Sequence, residues 1–266
     1  MQKCVLILSL IGMMASQECV DYDGNVYETV QIGEQEWMAE NLKVTHFNNG
    51  DPITYITNNG DWDNVLDDIE GQYGVYDNDP TNADIHGILY NWAVVDDYRG
   101  VCPEGWHVPT DDEWKELEMI LGMSQLDADD TSWRGSNEGS KLAGNAELWY
   151  NGSLESDTEF GTSGFNAFPS GLRYWYDGSY EGLGDYGYYW SSNENTMDGT
   201  FGHAAWFRGL RYDNAGVSRS WIYKSYGLPI RCLADDTDTG TILVPQDYPT
   251  IQAGIDAASD GDTVLV

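Results

Sequence analysis

The window Gly100–Trp114, GVCPEGWHVPTDDEW, gathers one thiol, one imidazole, four acids and two indoles. These are the residue types of thiolate catalysis, zinc binding and general acid–base chemistry. Their spacing argues for scaffold instead. His107 and Cys102 have no second ligand at the short intervals that zinc sites use, so no metal is expected here. Thr110-x-x-Glu113 reads as a capping box that opens a helix, with Asp111 and Asp112 as solvated acids of its first turn. Trp114, Leu117, Ile120 and Leu121 then recur on one helical face, which makes Trp114 a core anchor.

A second stretch with chemistry in it is RYWYDGSYEGLGDYGYYW, Arg173–Trp190. Aromatic rings beside hydroxyls and carboxylates suit sugars, because a pyranose offers CH groups to a ring face and hydroxyls to its rim. The candidate ligand-contact rings are Tyr174, Trp175, Tyr176, Tyr180 and Tyr186, while the other rings of the block alternate into the core. No nucleophile elbow, phosphate-cradling glycine loop or His-x-x-x-His pair occurs. Acidic residues are too numerous for spacing to single out a catalytic pair. No catalytic residue and no cofactor is assigned.

The elements that must carry these residues are mixed. DYDGNVYETVQIGEQEWMAENL reads as a β-hairpin, with Val26, Glu28, Val30 and Ile32 alternating and a turn at Gly33. Its Asp21, Asp23 and Gly24 lack the further ligands of a calcium loop and are read as a turn. Residues 48–84, rich in Asn, Asp and Gly, read as a long surface loop. GILYNWAVVD (Gly87–Asp96) has strand or short-helix length. Helices early and several short strands late, such as YGYYWSSN and HAAWFRGLRY, give an α+β class with long loops.

Length and charge narrow the class of partner. The 266 residues, 41% hydrophobic, suffice for a globular core, and 18 Tyr and 11 Trp against 6 Phe give much of the apolar surface a polar handle. A formal charge of −33, from 45 acids and 12 bases, would repel phosphate backbones, so neither nucleic acid nor an anionic membrane is an expected partner. The opening MQKCVLILSLIGMMASQEC has one lysine, an apolar run from Cys4 to Ala15 and then small and polar residues. This is the layout of a signal peptide, placed at residues 1–16, and it implies a secreted or cell-surface protein. Lipid anchoring through Cys19 is not expected, because Glu18 precedes it. Export leaves Cys19, Cys102 and Cys232, which is one pair and one remainder. Cys102 with Cys232, at the two edges of the domain, is the simplest pairing.

Several blocks, DYDGNVYETVQIGEQEWMAENLK, LYNWAVV, GVCPEGWHVPTDDEW, GFNAFPSGLR, YWSSNE, AWFRGLRY and YGLPIRC, occur in an order that resembles the Fibrobacter succinogenes major paralogous domain over residues 20–234. The resemblance implies an exported bacterial domain near the C-type-lectin-like and formylglycine-generating-enzyme-like folds, with short strands, few helices and long loops. The active oxidases of the latter group carry a copper-binding cysteine pair between the last two blocks. Here that interval, YDNAGVSRSWIYKSY (Tyr212–Tyr226), has no cysteine, so that activity is not expected. Nor do the Glu-Pro-Asn, Gln-Pro-Asp or Trp-Asn-Asp strings of calcium lectins occur.

Beyond an acidic linker at residues 235–241, TILVPQDYPTIQAGIDAASDGDTVLV resembles the first segment of pectin-lyase-like right-handed β-helices, with a strand at Ile242–Val244, a helix N-capped by Thr250 and a strand at Thr263–Val266. In the helix, Ile251, Ile255 and Ala258 form an apolar stripe. Residues 242–266 are therefore expected to be the truncated N-terminal cap of such a solenoid, and the chain a fragment of a longer protein. The expected function is a non-catalytic binding or adhesion module directed at an extracellular polysaccharide or cell-surface glycan. The alternative is an accessory domain of a polysaccharide-acting enzyme whose catalytic β-helix lies beyond residue 266.

Overall fold

The computed structural model describes residues 19–62, 70–196, 202–235, 241–244, 250–253 and 263–265. The segments read as a signal peptide, 1–16, and as most of the acidic linker, 236–240, lie outside the described residues.

The architecture is α+β. In chain order the strands used below are β1 (Thr29–Ile32), β2 (Gln35–Met38), β3 (Trp106–His107), β4 (Ser132–Arg134), β5 (Ser170–Arg173), β6 (Tyr180–Leu183), β7 (Tyr186–Asn195), β8 (Ala204–Arg211), β9 (Asn214–Tyr223) and β10 (Leu233–Ala234). Among the described residues the longest helix is α1 (Asp111–Ile120). A six-stranded sheet runs β6-β5-β7-β8-β9-β4, and a four-stranded sheet runs β1-β2-β10-β3. In the larger sheet all pairs are antiparallel except β5 with β7. Smaller strands, Thr54–Tyr55, Gln72–Gly74 and Leu89–Tyr90, form a third sheet.

The period-two alternation of the central strands sends side chains into two cores, one on each face of the large sheet. Trp190 of β7 and Phe207 of β8 join Tyr90, Trp92, Leu228 and Ile230 on one face. Their neighbours Tyr189 and Leu210, with Val217 of β9, join Trp37, Trp114, Leu117 and Phe165 on the other. The β1–β2 hairpin turns at Gly33 with φ +63°, a left-handed conformation that favours glycine, and a Cβ there would meet Ile120 Cδ1 at 2.5 Å.

Helix α1 starts as the sequence requires. The Thr110 hydroxyl accepts from the Glu113 amide at 3.2 Å, and Glu113 Oε2 accepts from the Thr110 amide at 2.7 Å, which completes the capping box. Trp114 and Leu117 are buried as expected, with Trp114 4.9 Å from Trp37 and 5.7 Å from Phe165 between ring centroids.

Two readings of this region are corrected. Ile120 is 42% exposed, because its side chain lies along the tight Gly33 turn at the edge of the core. Asp111 is buried and ion-paired, not solvated, because two arginines of the sheet reach it from below. The stretch 48–84 is also more than surface loop: it contributes two of the short strands and the helix Thr81–His86, and it buries Ile53, Trp62, Val75 and Tyr76. Residues 63–69 of that stretch lie outside the described residues.

Cys102 and Cys232 form a disulfide with Cα atoms 5.9 Å apart, joining the approach to α1 to the segment before β10. Cys19 is buried with a free thiol. Burial, followed by the nearby carboxylates of Glu36, Asp21 and Glu40, pushes that thiol up to about 12, so it stays protonated and unreactive.

In the tail, Thr241–Leu243 pairs in parallel with Thr263–Leu265, and Thr241 lies opposite Thr263. Residues 251–253 are helical, and the Thr250 hydroxyl accepts from the Ala253 amide at 3.2 Å, an N-cap bond. Among the described residues no helix is long and apolar enough to cross a membrane.

Candidate functional site

The Gly100–Trp114 window is built into the scaffold. His107, on β3, bonds with both ring nitrogens: Nδ1 lies 2.7 Å from Asp235 Oδ1 and Nε2 lies 2.9 Å from Glu113 Oε1. A ring that serves two carboxylates in this way is an imidazolium donating twice. The hydrogen bond to Glu113 raises the His107 pKa, burial opposes it, and the bond to Asp235 adds to the rise. For Glu113, burial pushes the carboxyl up, but the bonds from His107 and Thr110 outweigh it and the net shift is downward.

A raised imidazole pKa stabilises the fold fully below the unfolded value of 6.5, and that stabilisation is lost as pH rises through the folded value. The melting temperature is therefore expected to fall between pH 6 and pH 9 by more in the native protein than in His107→Gln. Parallel pH profiles for the two would show that the bridge contributes nothing.

Asp111 anchors a buried ionic cluster that no local pattern announces. Its Oδ1 accepts from Arg208 Nη1 at 2.7 Å, and its Oδ2 accepts from Arg219 Nη2 at 2.7 Å. Glu118, about two turns further along α1 and fully buried, accepts from Arg208 Nε at 2.7 Å and Arg134 Nη2 at 3.0 Å. Burial pushes the Asp111 carboxyl up, but hydrogen bonds from Arg219 and the charge of Arg208 hold it well below the usual carboxylate range. Every charge in the cluster has a partner of opposite sign, which leaves no free nucleophile or base and makes the cluster structural. Among the described residues no group of three or more His, Cys, Asp or Glu side chains is placed to hold a metal ion.

The aromatic block behaves differently. Between β5 and β6 the chain makes a turn closed by the Tyr174 amide to Ser179 O at 2.7 Å and the Gly178 amide to Tyr174 O at 3.0 Å. Arg173, fully buried at the end of β5, supports the turn from beneath. Its Nε donates to Gly178 O at 3.0 Å and its Nη1 to Ile56 O at 2.6 Å, while its guanidinium lies 4.3 Å from the Trp62 ring centroid. Gly178 is needed because its φ is +67° and a Cβ would meet Asn59 O at 2.2 Å.

On this support Trp175 packs edge-to-face against Tyr176 at 5.5 Å and against Tyr223 of β9 at 5.1 Å, with interplanar angles of 71° and 62°. Tyr176 is 65% exposed. Tyr174 packs on Tyr226 at 5.2 Å between ring centroids. Burial first, and the Tyr174 side chain second, raise the Tyr226 pKa, so the Tyr226 hydroxyl remains neutral.

The five sequence-selected rings do not form one set. Tyr174, Trp175 and Tyr176 come together on the turn. Tyr180 turns inward, where its ring lies 5.3 Å from Tyr76 and its hydroxyl donates to Asn78 Oδ1 at 2.9 Å. Tyr186 packs on Tyr188 at 5.1 Å and pairs with Arg211, whereas Tyr223 pairs with Ala204. The length of β8 therefore separates Tyr186 from the turn cluster, about 24 Å at ~3.4 Å per residue.

Tyr223 and Trp221 are the rings that sequence reading missed. The signal was the alternation in SRSWIYKSY (Ser218–Tyr226), which places both on one face of β9.

The family model of the Fibrobacter succinogenes major domain matches residues 30–234. No curated protein and no solved structure matches the chain.

Proposed function

Because this chain belongs to the Fibrobacter succinogenes major domain family, we propose that it is a secreted or cell-surface, non-catalytic binding module that holds carbohydrate on the turn between β5 and β6. The observation that carries this reading is the Trp175–Tyr176–Tyr223 cluster. Three contiguous rings, one of them mostly exposed, stand on a buried arginine pillar. Rings fixed by packing below lose little freedom when they stack on a sugar, so the contact energy is retained as affinity. The α+β arrangement of short strands, few helices and long connections supports a C-type-lectin-like or formylglycine-generating-enzyme-like fold for residues 20–234.

A glycan array and polysaccharide pull-down of the full chain test the reading. Trp175→Ala is expected to lose binding at unchanged melting temperature. Retained binding in that variant would move the site elsewhere.

One observation favours the alternative, an accessory role beside a polysaccharide-acting β-helix. The parallel pairing of Thr241–Leu243 with Thr263–Leu265, separated by a segment with Thr250 as its cap, is the arrangement that the first coil of a parallel solenoid requires. In that reading the aromatic cluster holds the polymer for the solenoid.

A further inference from the structure

We infer that the aromatic cluster is one end of an extended, inclined row of rings that binds a single, soluble, uncharged polysaccharide chain, not a crystalline face or a polyanion. This inference rests on the carbohydrate reading of the same cluster. The row runs Tyr176, Trp175, Tyr223, Trp221. Trp175 bridges Tyr176 and Tyr223 at centroid distances of 5.5 and 5.1 Å. Trp221 lies two residues before Tyr223 on β9, hence on the same face and about 7 Å along the strand, and it is 44% exposed.

The inclination decides the physical form of the ligand. Trp175 is inclined at 71° to Tyr176 and at 62° to Tyr223, so it cannot lie on one flat surface with either neighbour. A crystalline polysaccharide presents a plane and cannot stack on Trp175 and its neighbours together. A free chain can rotate about its glycosidic bonds and offer successive sugars at different tilts, so each ring can find a CH face.

Charge decides the ligand's class. Lys224, the residue after Tyr223, is paired with Glu194 and lies 4.4 Å from the Trp92 ring centroid. Arg219, two residues before Trp221, is bound to Asp111 and lies 4.2 Å from the Trp206 ring centroid. The carboxylate of Asp177, next to Tyr176, is exposed and holds Ser179. The cations flanking the row are thus neutralised within a chain of formal charge −33, and a polyanion would meet repulsion without a compensating site.

The test uses the full chain against three probes: a soluble mixed-linkage β-glucan with its oligosaccharides, microcrystalline cellulose, and polygalacturonate. The expected result is binding to the soluble neutral glucan, with affinity rising from disaccharide to hexasaccharide, and little retention on cellulose or polygalacturonate. Trp221→Ala, at a half-exposed position, and Tyr223→Ala are each expected to weaken hexasaccharide binding about tenfold. Unchanged melting temperature would separate this from misfolding. Preferential binding to cellulose or to polygalacturonate would overturn the inference while leaving a carbohydrate site in place. So would Trp221→Ala and Tyr223→Ala variants that bind like the native protein while Trp175→Ala does not bind. Failure to bind any member of a broad glycan panel would overturn the carbohydrate reading itself, and the inference with it.

Discussion

Replacing Cys102 and Cys232 together by alanine is expected to lower unfolding free energy by about 4–5 kcal/mol. The bridge closes a loop with a sequence separation of 130, and restricting so long a loop in the unfolded chain accounts for a loss of that size. Both sulfurs lie in the core beside Trp106, Val108 and Ile230, so alanine also removes some packing. Denaturant titrations of the native, reduced and double-alanine proteins would measure the loss. The reduced protein and the double-alanine variant should agree within about 1 kcal/mol. A cost below about 1 kcal/mol would mean that the two cores hold the fold without the bridge. Cys19 offers no rescue by exchange, since its thiol is buried and stays protonated.

Arg208→Met is the second large effect, with an expected loss of about 3–5 kcal/mol. Arg208 touches both buried acids of α1, Asp111 at 2.7 Å and Glu118 at 2.7 Å, and it also donates to the Asp111 carbonyl at 3.0 Å. Its loss leaves Glu118, fully buried, with only Arg134 to balance it. The penalty is that of a charge left in the core and not the intrinsic worth of an ion pair, which predicts a rescue. Adding Glu118→Leu and Arg134→Met to Arg208→Met should recover part of the loss, because Arg134 also bonds Glu118 and removing the buried group whole is far cheaper than breaking it. Further losses in the triple variant would contradict this.

The pH response has a defined sign. Asp111 has a depressed carboxyl pKa, so its stabilisation is present above the ordinary value of 3.8 and is lost as pH falls through the lower folded value. Acid should therefore weaken the attachment of α1 to the sheet, whereas alkali weakens the His107 bridge at the helix start.

What the chain determines by itself is local. The capping box at Thr110 and Glu113, the Gly33 hairpin and the Thr250 cap are short-range patterns, and each forms because the residues involved are fewer than ten positions apart. The cysteine pair was legible for a different reason: Cys102 and Cys232 stand at the two structural edges of the domain, where one bridge ties its start to its end.

Tertiary structure decided whatever depends on residues far apart in the chain. Asp111 looked like a solvated helix-start acid until Arg208 and Arg219, nearly a hundred positions later or more, were brought beneath it. His107 looked solitary until Asp235 arrived from the end of the domain. Of the five rings chosen from one block, only three share a surface, because the turn after β5 points one way while β6 and β7 carry Tyr180 and Tyr186 elsewhere. The ring that completes the cluster, Tyr223, comes from β9. Alternation along a strand tells which side chains share a face, but only the pairing of strands and the packing of loops tell which faces meet and which remain open to a ligand.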